Sequence, residues 1–374
     1  MDFDFSDEQE QLRDAVRKWV DKAYSFDERR SVVAAGGFSA SAYQAMAELG
    51  LCGLYVQDAY GGMAMGPTEG MVAMEELGRG MVMEPLAHTW ISTAVLQAFA
   101  SEDLKTEWLP RLAGGEALLV LAHHEKGARY DLHKCQATAS QVGGAWQVSG
   151  HKSLVPAGDH AHGFVVPATV NGQLALFLVA RSAATDTAHA YLAQDGSCMS
   201  ELHLKDSPAQ LISLDGLSAL QLAVDVGATS LCAEAVGLME KTLAVTVEYL
   251  NTRKQFGVAI ASFQALRHRV ADMKMQLELG RSMSYYATLK LNAPAAERSL
   301  AVSRAKYQIG RSTRHVGQEA VQLHGGIGVT DEYIVSHCFK RLTQIELSLG
   351  DSLHHLGLVS AQMQETAGVF ALSR

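Results

Sequence analysis

The chain contains 374 residues and carries a formal net charge of −9 at neutral pH; 48% of its residues are apolar and 19% are charged. This length predicts two or three compact units of about 100–200 residues each. No polar low-complexity tract is present, so we expect a chain that folds almost throughout. The acidic balance and the scattered basic residues argue against a nucleic-acid partner, whose phosphates favour concentrated Lys and Arg.

Membrane, disulfide and metal-binding classes are also disfavoured. The opening residues MDFDFSDEQEQ are acidic where a signal peptide is basic and then apolar, and no run approaches the ~18 apolar residues of a membrane helix. The five cysteines lie far apart without a C-x-x-C pair, and no H-E-x-x-H motif occurs. We therefore expect a cytoplasmic protein with reduced thiols and no metal site.

Residues 1–118 predict an all-helical N-terminal domain. Ser6 followed by Gln9 is typical of a capping box, and apolar residues then recur at four-residue spacing from Leu12 to Val20. Two further stretches with a helical period, SAYQAMAELGLCGLYV and TEGMVAMEELGRGM, flank a Gly-Gly break.

Residues 119–222 predict a middle β domain. Short runs rich in Val, Leu, Phe and Ala alternate with turn signals. The stretch GFVVPATVNGQLALFLVAR predicts a hairpin with its turn at Asn171 and Gly172. Since proline cannot donate to a β ladder, Pro167 is expected to place the first arm at a sheet edge or a bulge.

Longer helical patterns return over residues 223–374. Apolar residues from Leu231 to Leu250 line one face, and a second stripe runs from Phe263 to Leu277 at spacings of three and four. The second stripe approaches a heptad seam. Packing inside a bundle and burial against a partner chain are therefore both open.

The stretch YLNTRKQFGVAIASFQALRHRVADM, residues 249–273, holds one candidate site. A helix, a loop and a helix explain it structurally, because Arg253 and Lys254 near a helix C-terminus favour the macrodipole. An arginine and the amide of Gln264 on either side of a loop also suit a pyrophosphate and its sugar. A nucleotide site is consistent with this chemistry.

The stretch QLHGGIGVTDEY, residues 322–333, holds a second candidate. Its glycines resemble a phosphate-cradling loop, but they follow a helical pattern, so the strand, turn and helix context of a Rossmann fingerprint is missing. Gly325 and Gly326 either allow another molecule to approach the backbone or end the helix.

Taken together, the segments RKQFG, FQALRHRVADM and QLHGGIG resemble the C-terminal flavin-binding motifs of the acyl-CoA dehydrogenase family, in the same order and with similar spacing. MDFDFSDEQEQLRDAVR and ELGLCGLYVQDAYGGMAM are similar to helices of the same family, so the resemblance covers nearly the whole chain. It implies an α+β fold with an N-terminal all-α domain, a middle β-barrel-like domain and a C-terminal four-helix bundle.

The resemblance also implies a reaction. In this family a carboxylate removes the α-proton of a CoA thioester while hydride leaves the β-carbon for the flavin of FAD, which an electron-transfer flavoprotein reoxidises. The FAD lies between subunits, with its adenosine diphosphate half on the neighbouring chain's C-terminal bundle. The positions that match this second role are Arg253, Gln264, Gln322, Gly325 and Gly326.

The middle domain departs from the family pattern. The stretches HEKGARYDL (124–132) and KSLVPAG (152–158) stand where the family holds the flavin ring. Leu154 replaces an aromatic ring, and Pro156 replaces a threonine donor although it has neither a hydroxyl nor an N–H. Lys152 could meet a CoA phosphate or lie on a solvated face.

The catalytic base is missing from both positions that the family uses. Gly350 stands at the common base position, with Asp351 one residue later, and Gly227 stands at the alternative position. Glu346 lies four residues before the common position, so we expect no catalytic role for it. Asp351 is the candidate base, because burial can raise the pKa of an aspartate, but it or Ser352 can equally cap the last helix.

These departures favour one half of a heteromeric enzyme. The chain most resembles the small (β) subunit of pimeloyl-CoA dehydrogenase-like or steroid-degrading α2β2 acyl-CoA dehydrogenases. In such an assembly it would hold the adenosine end of FAD while a homologous partner supplies the flavin pocket and the base. A self-sufficient homo-oligomer with Asp351 as base and a non-catalytic structural subunit are the alternatives.

Overall fold

The computed structural model describes residues 5–183 and 189–367. Helices dominate the N-terminal and C-terminal parts of the chain, on either side of a group of strands. The α-helices are α1 (Asp7–Ala23), α2 (Phe26–Ala34), α3 (Ala40–Glu48), α4 (Pro67–Gly80), α5 (Leu86–Phe99), α6 (Glu102–Ala113), α7 (Gly216–Thr252), α8 (Gln264–Lys290), α9 (Ala295–His324), α10 (Ile334–Leu347) and α11 (Ser352–Ala367).

Strands occupy the middle of the chain. They are β1 (Leu119–Leu121), β2 (Thr138–Val142), β3 (Ala145–Pro156), β4 (Gly163–Val170), β5 (Gln173–Ala180), β6 (His189–Leu192) and β7 (Cys198–Ser213), with a short β8 (Lys254–Gln255) and β9 (Val258–Ala259) further on. Strands β4, β2, β3, β7 and β5 pair in that order, and β5 pairs again with β4. The ring of pairings is therefore closed, as the expected barrel-like domain requires.

The first helix forms as its sequence predicts. Ser6 is the N-cap of α1: its hydroxyl accepts from the Gln9 N–H at 3.2 Å, and the Gln9 side chain accepts from the Ser6 N–H at 3.0 Å. Val16 and Val20 are buried on one face. The capping-box prediction is confirmed, because both reciprocal bonds satisfy N–H groups that the helix itself leaves unpaired.

The predicted hairpin is β4–β5, with Asn171 and Gly172 at its turn. The prediction that Pro167 marks an edge or a bulge is wrong. Strand β4 pairs along its length with β5, and on its other side it pairs with β1 up to Val165 and with β2 at Thr169. Pro167 lies in the gap between these two partners, so its missing N–H leaves no ladder bond unmade.

Helix α7 begins at Gly216, earlier than the boundary expected near residue 223. It is also more apolar than expected, because the sequence analysis found no run comparable to a membrane helix. Among the described helices it is the one whose length and composition would permit a membrane span, with a mean hydropathy of 1.5 over its most apolar window. Since 89% of that window is buried inside the protein, α7 has the character of a core helix.

The residue contacts divide the chain into two compact units. One comprises Met1–Phe26, Met71–Val82 and Ala228–Arg374, and the other Asp27–Gly70 and Met83–Gly227. Both α4 and α7 therefore contribute residues to each unit. The order of helices, then strands, then helices along the chain is confirmed, whereas the domain boundaries at residues 118 and 222 remain predictions.

The last helices share one apolar core. Buried residues of α7 to α10 form a continuous cluster, and α11 packs on α9. The C-terminal part of α4 packs on α7 with almost no space between the backbones: a Cβ on Gly237 would overlap the Glu75 carbonyl, and one on Gly78 would overlap the carbonyl of Glu234. Glycine at both positions is what allows this distance.

We expect the substitution Gly237→Ala to destabilise the protein by about 2–3 kcal/mol or more, because the added methyl meets backbone rather than a movable side chain. The measurement is urea unfolding followed by circular dichroism. Gly357→Ala is the matched control: it adds the same methyl to exposed α11, meets nothing within 4 Å, and should stabilise by about 0.5–1 kcal/mol. Equal stability of the two variants would contradict the close approach of α4 and α7.

Candidate functional site

The first candidate segment forms a small hairpin between α7 and α8. Arg253 follows the end of α7, and its carbonyl accepts from the Ile260 N–H at 2.9 Å, which closes a loop around strands β8 and β9. Gln264 is the first residue of α8, where backbone N–H groups are unpaired and the helix dipole is positive. The side chains of Arg253 and Gln264 are exposed and make no hydrogen bond or ion pair within the described residues.

The second candidate segment ends α9. Gly325 is the C-cap, with φ +62° and ψ −139°, a backbone conformation open mainly to glycine. A Cβ on Gly325 or Gly326 would meet nothing within 4 Å, so internal packing does not require glycine at either position. Gln322 is exposed on the last turn of α9, and its amide is likewise unpaired within the described residues. The glycines therefore end the helix and also leave its backbone accessible.

Tyr249 connects the two segments. Its ring stacks on His324 at 4.4 Å between centroids, and its hydroxyl donates to the His324 carbonyl at 3.3 Å. The ends of α7 and α9 are thus fixed next to one another. The exposed groups near them are one guanidinium, two amides, a helix N-terminus and an open glycine backbone, a donor set that fits the pyrophosphate and sugar of a dinucleotide.

The middle-domain stretches use their polar groups internally. Lys152 is fully buried, and its Nζ donates to Glu125 Oε1 at 2.5 Å and to the Pro167 carbonyl at 2.7 Å. Glu125 also accepts from the backbone N–H groups of Gln136 and Ala137. Neither a CoA phosphate contact nor a solvated face describes Lys152, because the carboxylate and the carbonyl already satisfy the buried ammonium.

Sequence reasoning missed this pair. Glu125 and Lys152 are 27 residues apart in the chain and come together only because β3 passes the segment before β2. The nearby polar contact is also internal, since His124 and Ser153 bond to each other through side chains and backbone. Leu154 is 49% exposed with φ +54°, so an aliphatic side chain faces outward where the family holds an aromatic ring.

Gly350, which the sequence comparison within the family placed at the expected base position, has a conformation that excludes a side chain. Its φ is +109°, and an added Cβ would overlap the His355 ring and lie 2.9 Å from His354 Cδ2. A glutamate at this position would need a different backbone and a displaced ring. The alternative family position, Gly227, lies within α7 and also carries no carboxylate.

Asp351 is the N-cap residue of α11. It is 7% exposed, and its Oδ1 accepts from the His354 N–H at 2.8 Å. The capping alternative is therefore realised in the hydrogen bonding, although a cap can also act as a base. A catalytic role for Asp351 remains a prediction. The same holds for cofactor binding by Arg253, Gln264, Gln322, Gly325 and Gly326.

The side chain of Glu346 is hydrogen-bonded within the fold. Its Oε1 accepts from the Ser352 hydroxyl at 2.8 Å and from the Ser352 N–H at 3.1 Å, and Arg314 pairs with it at 3.3 Å. Lys306 is buried beneath it and donates to the Ile345 carbonyl at 2.7 Å. Burial lowers the pKa of Lys306 to about 8, while nearby Cys232, Glu346 and Asp351 act in the opposite direction.

Comparison with known proteins places this fold. The model of the acyl-CoA dehydrogenase N-terminal domain matches residues 6–116, and that of the C-terminal domain matches residues 215–364. Together these matches cover well over half of the chain. The protein belongs to the acyl-CoA dehydrogenase family, whose members are FAD-dependent enzymes.

Individual relatives agree with this assignment. The chain is 28% identical to the probable acyl-CoA dehydrogenase YngJ of Bacillus subtilis, over 94% of this chain and 97% of that protein. It is 26% identical to a solved Tcur3481–Tcur3483 steroid ACAD variant, with a TM-score of 0.90 over 96% and 99% of the two chains. Butyryl-CoA dehydrogenase of Megasphaera elsdenii, 23% identical with a TM-score of 0.89 over 97% and 100%, shares the fold.

We expect His355 to make stability depend on pH. Burial, with Lys306 nearby, lowers its pKa to about 3; Nε2 donates to the Leu349 carbonyl, and Nδ1 has no partner within the described residues. Because the unfolded pKa is about 6.5, the unfolded chain binds the proton first, and stability is lost as pH falls from about 6.5 towards 3. At pH 5 the loss amounts to about 2 kcal/mol.

The measurement compares wild type with His355→Gln, which can still donate to Leu349 but does not titrate. Urea unfolding at pH 7 and pH 5 should show a smaller loss for the variant by about 2 kcal/mol. Identical pH dependence of the two proteins would mean that His355 accepts a proton without cost in the folded state.

Proposed function

We propose that this chain is one subunit of an FAD-dependent acyl-CoA dehydrogenase that converts a CoA thioester to the 2-enoyl-CoA. In this proposal the chain supplies the adenosine side of the FAD site, and a homologous partner subunit supplies the flavin pocket and the base. The observation that carries the proposal is Gly350: the family's base position holds a residue whose backbone and surroundings leave no room for a carboxylate.

The retained groups support the adenosine half. Arg253 and Gln264 lie at the two ends of one loop, and Gln322 precedes the open glycines. An exposed guanidinium without an internal partner offers charge-assisted hydrogen bonds to phosphate oxygens, which are stronger than neutral ones. The N-terminus of the 27-residue helix α8 adds unpaired N–H groups and a positive dipole end.

The flavin half lacks comparable groups. When bound, FAD accepts the hydride from the β-carbon of the substrate. The residues of this chain at the corresponding stretches either face outward as an aliphatic side chain, as Leu154 does, or are committed to one another, as Glu125 and Lys152 are. Recruiting that pair to a cofactor would leave a buried charge without its partner, which costs about 3–5 kcal/mol.

Exposed apolar side chains support assembly with another chain. Phe256 is 92% exposed, Leu353 76% and Val329 71%, and all three belong to the unit that contains α8 to α11. Phe256 extends from the turn of the hairpin that carries Arg253. A partner surface that covers Phe256 beside Arg253 would bury apolar area next to the cofactor segment, which is consistent with a shared site.

The proposed assembly is an α2β2 heterotetramer acting on a dicarboxylic or steroid-derived acyl-CoA, reoxidised by an electron-transfer flavoprotein. Support comes from the 26%-identical steroid ACAD, which carries two protein names, Tcur3481 and Tcur3483. The proposal concerns a soluble enzyme in the cytoplasm.

The deciding experiment is purification of the chain alone and together with a homologous acyl-CoA dehydrogenase encoded beside it. Alone, the chain should be nearly colourless, since it holds half of the cofactor site; together, the two should elute as a heterotetramer with visible flavin absorbance. Flavin bound stoichiometrically by the single chain would contradict the division of the site.

Two variants of the complex then test the adenosine side. Arg253→Ala should weaken FAD retention by roughly 10- to 100-fold, because a hydrogen bond to a charged group contributes about 1.5–3 kcal/mol. Lys254→Ala is the matched control, at the next residue along the chain and equally exposed, and should retain flavin as wild type does. Equal flavin loss in both variants would point to general charge rather than to Arg253.

Asp351→Asn separates the subunit proposal from a self-sufficient enzyme. Asparagine caps helices about as well as aspartate, so the fold and its free energy of unfolding should change by less than about 0.5 kcal/mol. If a partner carries the base, turnover of the complex should stay within about threefold. A loss of turnover by a factor of roughly 100 or more, with assembly intact, would instead assign the base to Asp351.

The same preparations address a purely structural subunit. In that case the complex would bind FAD and turn over equally with Arg253→Ala and with wild type. Such an outcome would remove the adenosine contact and leave the chain a scaffold for its partner.

A further inference from the structure

A group of metal-ligating side chains lies in the β domain, in the unit that does not contain the C-terminal cofactor segments. Asp159 and His160 occupy the turn after β3, and Cys198 is the first residue of β7. One potential ligand atom from each residue lies within 4.8 Å of the other two. Cys198 Sγ is 2.9 Å from Asp159 Oδ1, and His160 Nε2 is 3.4 Å from Asp159 Oδ2.

The backbone holds this turn against β7. The Ala157 N–H donates to the Cys198 carbonyl at 2.9 Å, and the His160 N–H donates to the Ala157 carbonyl at 2.9 Å. Arg181 donates from Nη1 to the Gly158 carbonyl at 2.8 Å. Two side chains of the turn and the thiol of the neighbouring strand are therefore fixed at short distance by bonds that do not involve the ligand atoms.

His160 is also oriented from the other side. Phe38 stacks on its ring with centroids 4.4 Å apart and an angle of 20° between the planes. The imidazole is 40% exposed, whereas Cys198 is 4% exposed. The group thus has one buried soft ligand and one face open to solvent, the arrangement of a site with three protein ligands and a fourth position for water.

We propose that Asp159, His160 and Cys198 bind a zinc ion. Zinc takes Cys, His and Asp ligands at about 2.0–2.3 Å in a tetrahedron, which places ligand atoms about 3.3–3.8 Å apart. His160 Nε2 and Cys198 Sγ lie 3.4 Å and 2.9 Å from different carboxylate oxygens of Asp159, and one ligand atom from each residue lies within 4.8 Å of the other two, so side-chain shifts of about 1 Å would bring the three into such a tetrahedron. A thiolate among the donors favours zinc over magnesium or calcium, which prefer oxygen ligands alone.

The position of the His160 imidazole favours a bound cation over a simple hydrogen bond between Cys198 and Asp159. The Cys198 thiol donates a hydrogen bond to Asp159 Oδ1, and this bond explains the positions of two of the three side chains. That bond does not explain the imidazole held beside them by Phe38. Zinc would replace the thiol proton and sit among a thiolate, a carboxylate and a neutral imidazole, so that all three residues have one function.

No short motif in the sequence indicates this site, and the expectation of no metal was based on the absence of such motifs. Cys198 is 38 residues from His160, a spacing that no zinc signature contains. Only the antiparallel pairing of β3 with β7, which places Pro156 opposite Met199, brings the turn to the cysteine. The site is independent of the proposed dehydrogenase role.

The test uses the full-length chain with any affinity tag removed. After dialysis against Zn²⁺ and then buffer, elemental analysis should find one zinc per chain. Titration with Co²⁺ should produce thiolate-to-cobalt charge-transfer absorption in the near ultraviolet. Cys198→Ser should abolish this absorption, while Cys135→Ser, at the most accessible of the five cysteines, should retain it.

His160→Gln is the second variant, chosen because the exposed imidazole can be replaced without a cavity. It should weaken Co²⁺ binding roughly 100-fold or more, since even partners outside the ligand set contribute about 10- to 100-fold. His133→Gln, at another exposed histidine, should bind as wild type does. Less than one zinc per chain, or unchanged cobalt spectra in Cys198→Ser or His160→Gln, would overturn the proposal.

Discussion

A buried lysine stabilises the turn between α10 and α11, which contains Gly350. Lys306 donates from Nζ to the last carbonyls of α10, Glu346 above it accepts from both donors of Ser352, and Asp351 caps α11. The buried polar side chains of Lys306, Glu346, Asp351 and Ser352 are thereby hydrogen-bonded in the interior, where an unpaired group would cost about 1–3 kcal/mol. The turn is held with Gly350 at positive φ against His355, so the packing of this turn leaves no space for a side chain at residue 350.

The cofactor segments and the middle-domain stretches differ in how they use their polar side chains. Within residues 5–183 and 189–367, the side chains of Arg253, Gln264 and Gln322 are exposed and have no hydrogen-bond partner. Such groups remain available to bind another molecule. Glu125 and Lys152, in contrast, satisfy each other in a dry interior. Exposure and hydrogen bonding thus distinguish side chains that are available for a ligand from side chains that stabilise the fold.

Local sequence signals predict the helices and turns of the fold. Contacts that depend on the pairing of distant strands are not predictable from the sequence in this way. The capping box at Ser6 and the turn at Asn171 act within a few residues, so the sequence predicts their positions correctly. At Gly325 the sequence left two alternatives open, and the structure shows that this residue ends α9. The place of Pro167 between two neighbouring strands depends on pairing across the sheet. The Glu125–Lys152 pair depends on such pairing too, and no spacing rule contains either arrangement.

A divided FAD site would couple cofactor binding to assembly. If one chain supplies the adenosine contacts and its partner the flavin contacts, FAD binds the complex far more tightly than either chain. By mass action the same difference in affinity strengthens the association of the chains in the presence of FAD. The exposed Phe256 beside Arg253 would become buried in the same event, adding apolar area to the charge-assisted bonds. With the site divided in this way, a subunit without its own base would still contribute to catalysis, because it would work only together with its partner.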